Sequence, residues 1–125
     1  MILVYVALGS ALGGVSRFLL GGFLQTRAGV PFPVGTLAVN VTGSFLLGFL
    51  ARYVTAEAGA SPETRALLTA GFCGGYTTFS TFSVETLQLF EQGSWGKGGA
   101  YMAASVYLSL AAAVGGVLLA RAVAE

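Results

Sequence analysis

The charges of this chain stand so far apart that they cut it into four long apolar blocks, and that spacing limits what it can fold into more than any other feature. The blocks run from Met1 to Thr26 with Arg17 inside, from Ala28 to Ala51, from Ala66 to Val84 and from Gly98 to Ala120. At about 1.5 Å of rise per residue, roughly 20 helical residues cross the roughly 30 Å hydrocarbon core of a bilayer, so each block can span. Charged residues make up only 9% of the 125. An ordinary soluble domain carries about 25%, so this chain could not cover a water-facing surface. A mean hydropathy of +0.81 and 19 glycines agree, because glycine is more frequent in membrane helices than in soluble ones. The expectation is an all-α integral membrane protein. It is a single four-helix transmembrane domain over residues 1–125, with spans roughly over 2–26, 34–55, 63–90 and 98–122.

The connections are short. Arg27 to Pro33 holds two prolines, Glu57 to Glu63 places Pro62 at a helix start, and Glu91 to Lys97 contains two glycines. Met1 to Ser16 lacks a basic opening and runs on into further apolar sequence, so no cleavable signal is expected. With no histidine and one cysteine, Cys73, there is no internal disulfide, no His/Cys metal site and no Ser-His or Cys-His nucleophile pair, so an enzyme is not expected. A net charge of +1 without a basic run excludes nucleic acid as a partner.

Four crossings put both termini on one side of the membrane. That side carries Arg52, Arg65 and Arg121, and the other Arg27 and Lys97. Orientation follows the excess of Lys and Arg, and three against two is almost no excess. A chain so weakly oriented can insert both ways, and opposite copies can pair about a two-fold axis in the membrane plane. An antiparallel, dual-topology homodimer is therefore expected, the more so because four helices enclose a polar path poorly. Small-residue spacings at Gly9 and Gly13, Ser44 and Gly48, and Gly71 and Gly75 permit close helix approach.

The third block carries Gly71-Phe-Cys-Gly-Gly-Tyr-Thr-Thr-Phe-Ser-Thr-Phe-Ser83. Gly74 and Gly75, followed by a cluster of hydroxyl residues, weaken a helix in mid-bilayer. Non-helical backbone survives there only when buried or lining a cavity. A break would free carbonyls able to coordinate small cations; alternatively the glycines only pack and the hydroxyls bond back to the preceding turn. Phe79 and Phe82 would share a face with Thr78, Thr81 and Glu85. Such polar neighbours belong inside a bundle, which puts the rings inside too, with their positive edges available to an anion. Thr36, Asn40 and Ser44 form a polar stripe on the second block, and Tyr101, Ser105 and Ser109 one on the fourth. These stripes either bond helix to helix or line a track for a solute. Asn40 is the sharper candidate because its amide NH2 donates two hydrogen bonds. Asn40-Val-Thr42 also fits a glycosylation sequon, which an apolar span makes inaccessible. Arg17 inside a span costs at least about 2.5 to 3.5 kcal/mol on insertion scales, so it must snorkel, pair or line water. Glu85 is either its partner or a pore-facing group.

Gly13-Gly14-Val-Ser-Arg17, Gly35-Thr-Leu-Ala-Val-Asn-Val-Thr-Gly-Ser-Phe-Leu-Leu-Gly48 and the third-block motif followed by Glu85 resemble the CrcB/Fluc fluoride channels over essentially the whole chain. The resemblance implies a dual-topology antiparallel homodimer with two pores in the cell (inner) membrane. Its implied role is passive export of toxic fluoride from the cytoplasm. It further implies a structural sodium ion (Na+) at the dimer centre, held by the backbone carbonyls of Gly74 and Thr77 from both subunits. Asn40 then becomes the pore amide, Phe79 and Phe82 the aromatic box, and Tyr101, Ser105 and Ser109 the polar track. Arg17 would sit near the aqueous vestibule. Tyr76 departs from the pattern, standing where an aliphatic residue is expected. Fluoride is small and strongly hydrated, so neutral donors must replace its water without trapping it.

Two other readings fit parts of this pattern. A small multidrug-type transporter is also four-helical and dual-topology, but needs a carboxylate in its substrate site, and the first block offers Arg17 instead. A structural subunit of a larger complex accounts for the glycine spacings and not for the polar stripes.

Overall fold

The computed structural model describes residues 1–56 and 59–124, and among these every regular element is helical. Helix α1 covers Ile2–Ala28, α2 Val34–Ala56 and α6 Trp95–Ala124. These three are long and apolar enough to cross a membrane in one piece. They occupy the first, second and fourth blocks. Of the expected Glu57–Glu63 connection, Glu57 and Ala58 lie outside the described residues.

The turn from α1 to α2 is set by local chemistry. Gly29 takes a left-handed conformation, φ 61°, which glycine adopts without a Cβ clash and which ends α1. Gln25 then ties the turn together. Its Nε2 donates to the Val30 and Phe32 carbonyls, both at 2.9 Å, and its Oε1 accepts from the Gly35 N–H at 3.0 Å. Groups that a helix end leaves without partners are thereby satisfied inside the chain.

The third block departs from a single helix. It opens with α3, Pro62–Ala66, whose first turn is capped by Ser61 Oγ accepting from the Thr64 N–H, with Pro62 at the first helical position as expected. A π-helical stretch follows over Leu67–Cys73, then α4 over Gly74–Tyr76. Helical backbone stops there and restarts at Phe79 in α5, Phe79–Glu91. Thr77 and Thr78 between them are extended, at φ/ψ of −92/159° and −150/120°.

The expected weak point thus moves by a few residues. Gly74 stays helical, at φ −62° and ψ −39°, and Gly75 serves packing, its Cα side lying against the backbone of Ser10. The hydroxyls divide. Thr77, Ser83 and Thr86 bond back to the carbonyls four residues earlier, whereas Thr78 caps α5 by accepting from the Thr81 N–H at 3.2 Å. Gly93, at φ 80°, closes α5, and Ser94 N–H returns to the Leu89 carbonyl at 2.9 Å.

Packing follows the glycines. Gly9 and Gly13 on α1 press against the backbone of the π stretch, where a Cβ at Gly13 would collide with the Phe72 carbonyl oxygen. On the other side, Gly48 of α2 meets the Ala113 backbone and Gly116 of α6 meets the Phe45 backbone. Phe32 packs edge-on against Tyr101, ring centroids 5.6 Å apart. Numbers rise together along this contact, so α2 and α6 run parallel. Val39, Cys73 and Tyr101 are fully buried, while Leu12, Phe18, Leu19, Val114 and Leu118 stand outside. Outward apolar side chains with small residues between the helices are the arrangement lipid favours.

Candidate functional site

Two cavities meet around the extended Thr77–Thr78 segment. The first, about 300 Å³, is lined by Arg17 and Gln25 of α1, Thr36 of α2, and Thr78, Thr81 and Glu85. The second is a groove of about 400 Å³ between α2, α5 and α6. It gathers Asn40 and Ser44, Thr77 and Thr78, Phe79 and Phe82, and Ser105 and Ser109. Thr78 lines both.

The extended segment is held from α2. Asn40 Nδ2 donates to the Thr78 carbonyl at 3.0 Å, and Asn40 Oδ1 accepts from the Thr78 N–H at 2.8 Å. One side chain therefore satisfies both backbone groups of a residue outside any helix, as a low-dielectric setting demands. The sequence-based view of Asn40 as a free two-hydrogen donor needs correction. One amide hydrogen is committed to Thr78, and one remains for the groove. A consequence falls on the preceding turn. In an unbroken helix the Thr78 N–H would bond the Gly74 carbonyl; here it bonds Asn40. Gly74 itself is exposed on the chain's surface, with Thr77 beside it half-buried.

Phe82 lies inside the chain, half-buried, its ring centroid 5.1 Å from Tyr101 and 5.6 Å from Phe79. Phe79 does not. It is 79% exposed in the single chain, against the expectation that both rings point inward. Phe79 and Phe82 still sit one turn apart on α5 with neighbouring rings, but Phe79 opens that helix after the extended Thr77–Thr78 backbone, so no preceding turn of α5 covers its ring.

The fourth-block stripe also divides. Ser105 and Ser109 line the groove. Tyr101 is fully buried and lines neither cavity; its hydroxyl donates to Glu85 Oε1 at 3.0 Å. Ser105 Oγ is buried with no hydrogen-bond partner among the described residues. Buried hydroxyls are nearly always satisfied, so this one is free for whatever enters the groove. Arg17 and Glu85 line the same cavity with different partners, Arg17 Nε donating to the Gly75 carbonyl at 3.2 Å.

Sequence reasoning treated Thr78 only as a neighbour on a face and gave Gln25 no role. Thr78 joins the two cavities, and Gln25 both folds the entry turn and lines the first. The adjacent threonines after two glycines were the available signal for Thr78. Gln25 carried none, since its partners are backbone groups of a turn. Tyr76, the departure from the expected pattern, is buried, stacks on Phe72 and shares a hydrogen bond with Thr42 Oγ1 at 2.9 Å. Its hydroxyl is accommodated without reaching either cavity.

Long outward-facing apolar helices around a small groove that carries hydroxyl, amide and phenyl groups define a multi-pass integral membrane protein of the cell membrane. The sequence pattern of the family described as "CrcB-like protein, Camphor Resistance (CrcB)" matches residues 4–117, and the chain belongs to this family. It is 52% identical over 120 residues to the "Fluoride-specific ion channel FluC" of Rhizobium meliloti (strain 1021), covering 96% of each chain. The protein of the same name from Rhizobium etli (strain CIAT 652) is 49% identical over 119 residues, 95% of each. That of Hahella chejuensis (strain KCTC 2396) is 50% identical over 119 residues, covering 95% of this chain and 94% of the relative.

Proposed function

We propose that this protein is a fluoride channel that lets the ion leave the cytoplasm passively and so limits its toxicity. The observation that carries the reading is the groove. It offers neutral donors, Ser105 Oγ without a partner among the described residues and the remaining amide hydrogen of Asn40, beside the phenyl rings of Phe82 and Phe79. Weak neutral donors can replace water around a small anion and still release it, as conduction requires. Arg17, in the adjoining cavity, supplies positive charge at an entrance rather than at the donors themselves. No bond is made or broken, so the protein is not an enzyme.

In this reading the pieces from Pro62 to Glu91 form the third of four crossings, broken at Thr77–Thr78, and two chains pair antiparallel in the membrane with two pores. Support comes from what one chain leaves open. Phe79 is exposed although it borders the groove, and a second copy would cover it. A structural sodium ion at the centre would be held by the Gly74 and Thr77 carbonyls. The donor set fits: these are hard, neutral oxygens, and Gly74 lacks the Thr78 N–H that a continuous helix would give it. Two carbonyls fall well short of a hard cation's oxygen shell, so the second chain must contribute its own pair. The bound ion's positive charge would lower the energy of anions nearby.

The test is efflux from proteoliposomes loaded with fluoride or chloride salt, with valinomycin clamping the voltage. Valinomycin-dependent efflux of fluoride but not chloride is expected, and its absence would overturn the reading. Phe82→Ile should cut fluoride flux by at least about tenfold while leaving the size-exclusion profile unchanged. Isoleucine conserves apolar bulk, which cores tolerate, and removes the ring edge. Unchanged flux would reduce the ring to packing.

A further inference from the structure

Resting on the channel reading above, we propose that Arg52 and Arg121 form a second, electropositive mouth of the anion path, at the pole of the chain opposite the Arg17 cavity. A third cavity of about 550 Å³ lies between α2 and α6, flanked by these two arginines. Ser44 and Leu47 line both it and the groove that holds Asn40 and Ser105. The three cavities therefore follow one another along α2. Thr36 belongs to the first, Asn40 to the second and Arg52 to the third, with Thr78 shared at one junction and Ser44 at the other. The parallel course of α2 and α6 brings Arg52 and Arg121 to the same end, across the groove from the cavity that holds Arg17 in mid-span.

The helix dipole covers only one of the two. Arg121 lies in the last turn of α6, where a cation complements the helix dipole. Arg52 lies before the last turn of α2, which carries no basic residue, so the dipole does not account for it. Among the described residues lining this cavity there is no carboxylate, in contrast to the Arg17 cavity with Glu85. Arg52 and Arg121 are the charged groups among the described residues that line this mouth, and low-dielectric walls such as Leu47 and Val117 focus their field. Guanidinium groups at the mouth raise the local concentration of anions without standing among the donors that must release them.

The experiment compares fluoride conductance of the full-length wild type, Arg52→Gln/Arg121→Gln and Arg52→Lys/Arg121→Lys in neutral phosphatidylcholine bilayers. At an ionic strength of about 10 mM, where charges act over roughly 30 Å, the glutamine pair should conduct about three- to tenfold less than wild type. The lysine pair should conduct like wild type. Near 1 M, where the range falls to about 3 Å, all three should converge. A conducting wild type matched by the glutamine pair at low ionic strength overturns this inference alone. So does a deficit confined to bilayers containing phosphatidylglycerol, which would make the arginines a lipid-headgroup site. A silent wild type overturns the channel reading itself.

Discussion

Asn40→Leu is expected to abolish measurable fluoride flux and to destabilise the fold by about 2 to 6 kcal/mol. Leucine fills similar space but leaves the Thr78 N–H and carbonyl without their partners at 2.8 and 3.0 Å. Each buried orphan costs about 1 to 3 kcal/mol, with no water in the hydrocarbon region to relieve it. The extended segment would then seek other bonds, and the nearest solution is to rejoin α4 to α5, returning the Thr78 N–H to the Gly74 carbonyl. Asn40→Asp separates the two contacts. An ionised aspartate accepts from the Thr78 N–H but sets its second oxygen against the Thr78 carbonyl and buries a charge, so it should be no more stable than Asn40→Leu. Flux assays paired with denaturation in detergent would measure this, and Asn40→Leu conducting like wild type would show that something else holds the segment.

The second large effect is expected at Gly13. A Cβ there would meet the Phe72 carbonyl oxygen and, at 2.9 Å, the Tyr76 nitrogen, both of them backbone. Backbone cannot yield as a flexible side chain does, so Gly13→Leu must push α1 off the π stretch. The cost should exceed about 3 kcal/mol, the upper range for overpacking a core, and the protein should fail to elute as a single species in detergent. Gly14 is the control. Nothing lies within 4 Å of a Cβ at that position, and alanine in place of a helical glycine gains up to about 1 kcal/mol of helix propensity. Gly14→Ala should therefore elute and conduct like wild type. Equal tolerance at both glycines would mean that α1 does not dock where it is drawn.

These two glycines show how far the text could be read. Gly13 and Gly14 are adjacent and indistinguishable as letters; only the partner surface makes one indispensable and the other free. The spacing of Gly9 and Gly13 did point to close approach, because residues four apart share a helix face. Phe79 and Phe82 show the opposite case. They do sit one turn apart on α5, but Phe79 opens that helix directly after the extended Thr77–Thr78 backbone, so no preceding turn covers its ring. Tyr101 was grouped with Ser105 and Ser109 on the same rule, and the helix is regular there. What separated Tyr101 was its length, which carries the hydroxyl past the groove to Glu85.

Sparse charge and four apolar blocks were enough to determine, from the sequence by itself, that the protein lives in a membrane as helices. Burying unpaired charge or open backbone in hydrocarbon costs too much for any alternative. The same text located the two polar stripes and the weak third block. Tertiary structure decided what those features do: that Asn40 commits one amide hydrogen to Thr78, that the Ser105 hydroxyl has no partner among the described residues, and that the Phe79 ring is exposed on the single chain. The physical reason is that local sequence sets periodicity and solubility, whereas each hydrogen bond is allotted by competition among groups far apart in the chain. Asn40 and Thr78 are 38 residues apart, and Arg17 and Gly75 are 58 apart.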